Sequence, residues 1–127
     1  ATNVVREILV GLHASALALS PNQRHLVVAN AASDTLSVID TRTDQVIETI
    51  WTRQSPADLF GATPNAVAFS ASGRDLFVCN GTQNAVAVVE FKPGKSGLVG
   101  LIPVGGFPGG VAYDAQRKAV TPAVAPS

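Results

Sequence analysis

A segment of about 25 residues occurs twice in this chain, with a spacing of 50 residues. When residues 16–40 are aligned without a gap on residues 66–90, eight positions are identical. The identities include an arginine pair and the pair Asn30 and Asn80, which keep their places within an apolar pattern. Such a repeat predicts stacked structural units, because one unit cannot bury its apolar face without a neighbour.

Within each unit, short segments rich in Val, Leu, Ile and Ala are bounded by turn residues, which predicts strands. The predicted strands are residues 15–20, 25–30, 35–40 and 45–51 in the first unit, and 65–70, 75–80, 85–91 and 98–104 in the second. Val4–Val10 is predicted to be the last strand of a preceding unit, and Ser55–Phe60 a short turn of helix. Four antiparallel strands per unit of about 40–50 residues is typical of a β-propeller blade. A β-sandwich shows the same alternation, but the repeat favours the propeller.

We therefore predict an all-β chain that is a partial β-propeller of four-stranded antiparallel blades, about two and a third blades in all. The predicted divisions are a blade remnant at 1–12, blades at 13–60 and 61–106, the start of a further blade at 107–118, and an Ala/Pro-rich tail at 119–127. The third copy of the repeat follows the second by 44 residues, since Val111 matches Val67. We expect this copy to break off, because Pro122 falls where a paired strand should run.

Composition limits the possible partners. The chain has nine Lys and Arg against nine Asp and Glu, so its formal net charge is zero and no nucleic-acid partner is predicted. It contains no apolar run long enough for a membrane span. A single cysteine excludes an intrachain disulfide bond. Because the chain starts at Ala1 and has no methionine, we expect it to be part of a longer protein.

The segments that lead into the innermost strands share a glycine-containing pattern at residues 11–14, 61–64 and 105–108. In a propeller such loops surround one mouth of the central channel, where ligands commonly bind. His13, Thr63 and Phe107 are therefore the candidate ligand-binding residues. The alternative is that these are ordinary turns, in which glycine permits a positive φ.

No catalytic residue, metal ligand or cofactor is predicted. The two histidines, His13 and His25, lack the spacing of metal ligands. Cys79 takes the place of Ala29 in the repeat and has no base nearby in the sequence, so we predict a small buried residue. Structural rather than ligand-binding roles are predicted for Asn30, Asn80, Asp34 and Asn84.

One repeat unit resembles a known family. Ser20–Asn30 followed by Asp34–Asp40 is similar to the YVTN-type β-propeller repeat, in which Ser-Pro and a polar turn precede a strand that ends in Asn and then a Val-Ile-Asp strand. Phe77–Asn80 is the second copy of the signature tetrapeptide. The resemblance extends over residues 4–118 and implies the propeller fold, while the family is functionally broad.

A narrower resemblance is carried by Ser55–Gly61, Asn80–Asn84 and Gly100–Gly105. These stretches look like bacterial proteins in which a propeller precedes an alkaline-phosphatase-like phosphoesterase domain. In such proteins the catalytic metals bind in the second domain, so the resemblance implies no catalytic residue in this chain. It does imply an exported protein, periplasmic or secreted.

The function predicted from these observations is a non-catalytic binding or scaffolding module, part of a larger exported bacterial protein. The alternatives are the propeller domain of a two-domain metal-dependent phosphoesterase and a lactonase-like propeller enzyme. Few charged residues in the inter-blade loops count against the lactonase. The predicted partners are the remaining blades of the ring or further copies of the chain, because an open set of blades exposes apolar faces and strand edges.

Overall fold

The chain folds into ten strands in three antiparallel sheets, as seen in a computed structural model that describes residues 7–52, 62–106, 108–114 and 118–124. The strands are β1 (Ala14–Leu19), β2 (His25–Asn30), β3 (Thr35–Asp40), β4 (Gln45–Trp51), β5 (Pro64–Phe69), β6 (Asp75–Asn80), β7 (Ala85–Glu90), β8 (Gly97–Pro103), β9 (Pro108–Asp114) and β10 (Ala119–Val124). A single turn of 3-10 helix at Gly81–Gln83 separates β6 from β7. None of the described segments is a helix that could cross a bilayer.

The sheets follow one another along the chain in the manner of propeller blades. Strands β1 to β4 form the first sheet and β5 to β8 the second, each in sequential order, and β9 pairs with β10. The eight strands predicted for the two repeat units are confirmed to within one residue at each end. The strand predicted at Val4–Val10 does not form over residues 7–10, and its first residues lie outside the described ranges, as does Ser55–Phe60.

The third unit continues further than predicted. Ala119–Val124, expected to lie in an Ala/Pro-rich tail, forms β10 and pairs with β9. Pro122 lies opposite Val111 within this pair. The strand tolerates the proline because, within the described residues, β10 pairs with β9 alone, and an edge strand can leave an N–H position unused. The expectation that the third unit breaks off near residue 118 was therefore wrong.

The innermost strand of every sheet contains the same irregularity. The pairing register shifts between Ala14 and Ala16 in β1 and between Pro64 and Ala66 in β5, so Ser15 and Asn65 are the extra residues of two β-bulges. The β9–β10 pair shifts at the corresponding place, opposite Ala123 and Val124. A bulge bends a strand and increases its twist. Its recurrence shows that the three sheets share backbone geometry as well as sequence.

The core lies between the first and second sheets. Val27, Ala29, Leu36, Val38 and Ile50 from the first sheet meet Leu76, Val78, Ala87, Val89 and Phe91 from the second. Phe91 joins the layers with edge-to-face ring contacts to His25 and to Phe69. Between the second and third sheets Phe77 stacks on Tyr113, with ring centroids 5.9 Å apart. The apolar face of each sheet is thus buried against the neighbouring sheet, since a single sheet has no core of its own.

The outer face of the first sheet has no such neighbour within the described chain. Leu17 and Leu19 are 66% and 49% exposed. Their repeat equivalents in β5, Val67 and Phe69, pack against the core instead. Trp51, at the end of β4, is also 52% exposed. An apolar patch of this kind marks an interaction surface.

A carboxylate links the outer parts of the first two sheets. Glu48 of β4 reaches the turn between β7 and β8, where its Oε1 accepts hydrogen bonds from the Gly94 N–H (3.0 Å) and the Ser96 hydroxyl (3.0 Å). Its Oε2 accepts a bond of 2.7 Å from the Ser96 N–H. Hydrogen bonds to a charged acceptor are stronger than neutral ones. Glu48 therefore holds the two sheets together beyond the edge of the apolar core.

We expect the chain to self-associate through the Leu17 and Leu19 face, because water contact with this apolar surface is unfavourable. The double change Leu17→Glu and Leu19→Glu should lower the sedimentation coefficient to that of a monomer. Val99→Glu, which places the same charge at an exposed apolar position of β8, should leave association unchanged. A wild-type chain that sediments as a sharp monomer and melts cooperatively would contradict the prediction.

Removal of the Glu48 carboxylate should loosen the contact between the sheets. We expect Glu48→Ala to lower the free energy of unfolding by about 1–2 kcal/mol, since the charged hydrogen bonds are partly exposed and the two N–H groups can bind water instead. Urea unfolding followed by circular dichroism measures this change. Thr49→Ala, an exposed neighbour on the same strand, serves as the control and should cost less than half as much.

Candidate functional site

The loops at the two ends of the sheets differ in chemistry. The first end, here called the upper end, has two kinds of loop. Some precede β1, β5 and β9, and the others join β2 to β3 and β6 to β7. Together they are residues 11–13, 31–34, 62–63, 81–84 and 104–106. The lower end consists of the turns at 20–24, 41–44, 70–74 and 91–96 and of Lys118. The candidate residues His13 and Thr63 lie at the upper end, which is therefore the candidate functional site.

Left-handed backbone recurs at matching positions of the upper end. His13 and Thr63, which are repeat equivalents, have φ of 57° and 50°. Asp34 and Asn84, also equivalent, have φ of 55° and 48°. His, Asn and Asp occur in this region several times more often than other non-glycine residues, but a β-branched residue there is strained. Thr63 is therefore the strained position of this site.

Backbone hydrogen bonds explain why the chain adopts these conformations. The carbonyl oxygens of His13 and Thr63 accept bonds from the N–H groups of Ala31 (2.9 Å) and Gly81 (3.2 Å), the first residues after β2 and β6. The alternative expectation, that glycines supply a positive φ in these turns, is not met at Gly11 and Gly105, whose φ values are not positive, whereas His13 and Thr63 adopt it. Gly11 is needed for another reason, because a Cβ atom there would lie 2.7–2.8 Å from the side chain of Asn30.

A hydrogen-bonded chain of polar groups runs from the first sheet to the second. The buried Asp34 carboxylate accepts a bond of 3.0 Å from the Thr63 N–H through Oδ1. Its own carbonyl oxygen accepts bonds of 3.0 Å from the N–H and the hydroxyl of Thr52. The Thr52 carbonyl in turn accepts a bond of 2.8 Å from the Asn80 side-chain amide. The Asp34 carboxylate thus holds the N–H of Thr63, while the Gly81 N–H holds its carbonyl oxygen.

The two repeat asparagines are fully buried. Asn30 donates to the hydroxyls of Thr35 (3.3 Å) and Ser37 (2.9 Å), whereas Asn80 donates to the Thr52 carbonyl and the Gln83 side chain (3.0 Å). Their Oδ1 atoms have no hydrogen-bond partner among the described residues. A buried acceptor without a partner is costly, and internal water is its usual partner. Structural roles for both asparagines agree with the sequence prediction.

Ionisable groups at the upper end are few. Asp34 is buried and His13 is exposed, and no group of three or more His, Cys, Asp or Glu able to hold a metal ion occurs within the described residues. Cys79 is buried between the second and third sheets, and desolvation raises the pKa of its thiol to about 11, despite a backbone hydrogen bond at Gly110 that lowers it. A thiol with this pKa is protonated and unreactive at neutral pH. The prediction of a small buried residue is confirmed for Cys79.

The structure places two of the three candidate residues on adjacent sheets. His13 and Thr63 occupy equivalent positions at one end of the described fold, with an exposed His13 and a half-buried Thr63. Phe107 lies outside the described residues. The Thr63 hydroxyl is 3.3 Å from that of Thr82, so the two hydroxyls form a pair at the surface.

Sequence reasoning missed two polar residues of this end. Thr52 follows β4 and joins Asp34 to Asn80. Ser15, the bulge residue of β1, donates to the Pro64 carbonyl of the second sheet (3.0 Å). The repeat gave no signal for either, because Ser15 aligns with an asparagine and Thr52 lies beyond the aligned segment.

Comparison with known proteins agrees with this architecture. The family model of the lactonase, 7-bladed β-propeller family matches residues 6–104, which is most of the chain. The chain belongs to this family. The blade-like sheets are therefore part of a β-propeller, as the repeat predicted. No curated protein matches the chain.

Solved structures show the same fold at low sequence identity. A structure of hydrazine synthase from Kuenenia stuttgartiensis superposes with a TM-score of 0.75 and 22% identity, over 96% of this chain and 33% of the other. A proposed 6-phosphogluconolactonase from Bacteroides uniformis has a TM-score of 0.74 and 19% identity, over 85% and 32%. A second one, from Bacteroides fragilis, has a TM-score of 0.72 and 18% identity, over 85% and 31%. The chain thus spans about a third of the length of these structures.

Relief of the strained backbone at Thr63 should stabilise this lactonase-family chain. We expect Thr63→Asn to raise the free energy of unfolding by about 1 kcal/mol, because asparagine tolerates the left-handed region that a β-branched residue disfavours. His13→Asn is the matched control, since histidine also tolerates this region, and its effect should be smaller. Urea titration measures both. Destabilisation of the Thr63→Asn variant relative to His13→Asn would show that the backbone at Thr63 is not strained.

Proposed function

We propose that this chain forms part of the ligand-binding wall of a lactonase-type propeller, and that its upper end binds an uncharged ligand rich in hydroxyl groups, such as a sugar lactone. The chain supplies binding groups and takes no chemical step itself. The observation that carries the proposal is the strained Thr63. Strained backbone concentrates at functional sites, where the surrounding structure holds a side chain in place.

The chemistry of the upper end favours a neutral ligand. The groups available there are hydroxyls, amides and one imidazole, from Ser33, Thr63, Thr82, Gln83 and His13. None of the described lysines and arginines lies at this end. Neutral donors and acceptors suit a polyhydroxylated ligand, whereas a phosphate group needs Arg or Lys. A phosphorylated lactone, suggested by the names of the Bacteroides proteins, would need cations from outside the described residues.

The proposal combines two of the predictions made from the sequence. It keeps a non-catalytic binding role for this chain, because the described upper end has one buried carboxylate and one exposed imidazole but no nucleophile beside a base. It places that role in a lactonase-type ring rather than beside a phosphoesterase domain. We further propose that the protein is exported, which rests on the narrower resemblance carried by Ser55–Gly61, Asn80–Asn84 and Gly100–Gly105.

Binding of D-glucono-1,5-lactone to the chain at pH 5.5, followed by NMR of backbone amides, tests the proposal. We expect shifts confined to residues 11–13, 31–34, 62–63 and 81–84, with weak affinity because only part of the ring is present. Thr63→Asn should weaken binding several-fold while it stabilises the fold, since function and stability oppose each other at a strained site. Thr49→Asn, on exposed β4, should bind as the wild-type chain does.

Two results would contradict the proposal. Shifts at the lower end alone would show that the upper end is not the binding site. Hydrolysis of the lactone by the chain itself, followed with a pH indicator against a buffer blank, would show that it performs chemistry and is not a binding wall only.

A further inference from the structure

The charged residues of the described chain are concentrated at the end opposite the candidate site. Every described lysine and arginine lies at the lower end, namely Arg24, Arg42, Arg74, Lys92, Lys95 and Lys118. All six side chains are exposed, whereas most of the carboxylates nearby are half-buried. The lower end therefore presents cations to solvent although the chain has no net charge.

The repeat places these cations in matching sets on the two complete sheets. One pocket of about 100 Å³ in the first sheet is lined by Arg24, His25, Asp40 and Arg42. The equivalent residues 50 positions later, Arg74, Asp75, Glu90 and Lys92, line a pocket in the second sheet with Phe91. The first pocket has two guanidinium groups and one carboxylate. The second has two cations and two carboxylates, because Asp75 takes the place of His25.

Local pairing strengthens this difference. In the second pocket the Lys92 ammonium and the Glu90 carboxylate form an ion pair of 2.8 Å. Hydrogen bonding and charge attraction within this pair lower the pKa of Glu90 and raise that of Lys92. In the first pocket Asp40 accepts a bond of 2.8 Å from the backbone N–H of Arg42. Among the described residues, the guanidinium groups of Arg24 and Arg42 have no ion pair or hydrogen bond.

A larger cavity lies beside the first pocket and shares His25 with it. Its volume is about 390 Å³, and it is lined by Ser20, Pro21, Asn22, His25, Ser72, Gly73, Phe91 and Pro93. The lining comes from equivalent turns of both sheets, so the cavity exists only where two blades meet. Small-molecule sites typically have volumes of about 300–1,000 Å³. The Asn22 side-chain Nδ2 offers a polar contact beside the proline and phenylalanine walls, while its Oδ1 accepts bonds from the Ser20 hydroxyl (2.6 Å) and the Arg24 N–H (3.0 Å).

We propose that the lower end holds a second ligand site, which binds a polyhydroxylated compound with one carboxylate group. The carboxylate of this ligand lies between the guanidinium groups of Arg24 and Arg42, and its hydroxylated part fills the cavity between the two sheets. Paired guanidinium donors match the planar geometry of a carboxylate. The cavity has no charged wall, which favours a neutral body with few polar contacts.

Other ligand classes fit this site less well. A nucleic acid needs aromatic rings exposed for base stacking, but Phe91 is only 8% exposed. A dianionic ligand with acids at both ends would meet Asp75 and Glu90 at the second pocket. The ligand is therefore a single acid group on a hydroxylated body, which is either a free sugar acid or one residue of an acidic polysaccharide.

The test uses the complete chain and calorimetric titration with glucuronate, gluconate and a galacturonate oligomer. We expect all three to bind, with glucose as the neutral control giving no heat. Affinity should fall as salt is added, because exposed charges are screened. A galacturonate oligomer that binds far more tightly than glucuronate identifies a polysaccharide as the source, and equal affinities identify a free acid. Either result supports the shared carboxylate chemistry.

The variants separate this site from its repeat equivalent. The double change Arg24→Gln and Arg42→Gln should weaken glucuronate binding at least about tenfold, the loss expected for one charge-assisted hydrogen bond. Arg74→Gln, the matched change in the charge-balanced pocket, should alter affinity by less than about twofold. These positions are exposed, and melting curves followed by circular dichroism check that each variant is folded.

Three outcomes would overturn the proposal. They are binding of glucose as tight as that of glucuronate, unchanged affinity in the double variant, and equal losses in the double variant and Arg74→Gln. Backbone amide shifts identify the site directly, because glucuronate should shift residues 20–25 and 72–74. Shifts at residues 31–34 and 81–84 would place the acid at the upper end instead. A lactone that fails to bind at the upper end leaves this test unaffected, since the two sites share no residue.

Discussion

The apolar layer between neighbouring sheets is the interaction on which this structure depends. Residues such as Leu36 of the first sheet and Leu76 of the second are fully buried because the sheets face each other. A four-stranded sheet has no interior of its own, so its stability comes from the next sheet in the series. The same dependence explains why the equivalent positions Leu17 and Val67 differ so much, since Leu17 is largely exposed and Val67 packs against the core.

Because apolar side chains fill the space between the sheets, the polar and charged groups lie mainly at the two ends of the sheets. The loops and strand ends there carry the left-handed residues, the buried asparagines and most of the charges of the described residues. The described upper end has no lysine or arginine, and it contains the strained Thr63. The lower end presents cations beside a cavity between two blades. A repeat protein can diversify one end without disturbing the other, because the strands that connect them keep the same packing.

Much of the fold could be predicted from the repeat, because strand periodicity and spacing depend on local chemistry. The third unit was the exception. Pro122 predicted that strand pairing would end there. Whether a proline breaks a strand, however, depends on which edge of the strand is hydrogen-bonded to a neighbour. That property belongs to the sheet and not to the residue. The contact made by Glu48 could not be predicted from the repeat either, since it joins β4 to a turn at 91–96 that is two residues longer than its counterpart at 41–44.

The sequence by itself determined the strands, their order and the places where the ends of the sheets carry turns. It also identified His13 and Thr63 as equivalent positions, because the repeat aligns them. Only the tertiary structure decided that Thr63 is strained, that Thr52 connects Asp34 to Asn80, and that a cavity opens between Pro21 and Phe91. The physical reason is that strand formation reflects side-chain patterns along the chain, whereas strain, buried polar networks and cavities arise where two sheets meet.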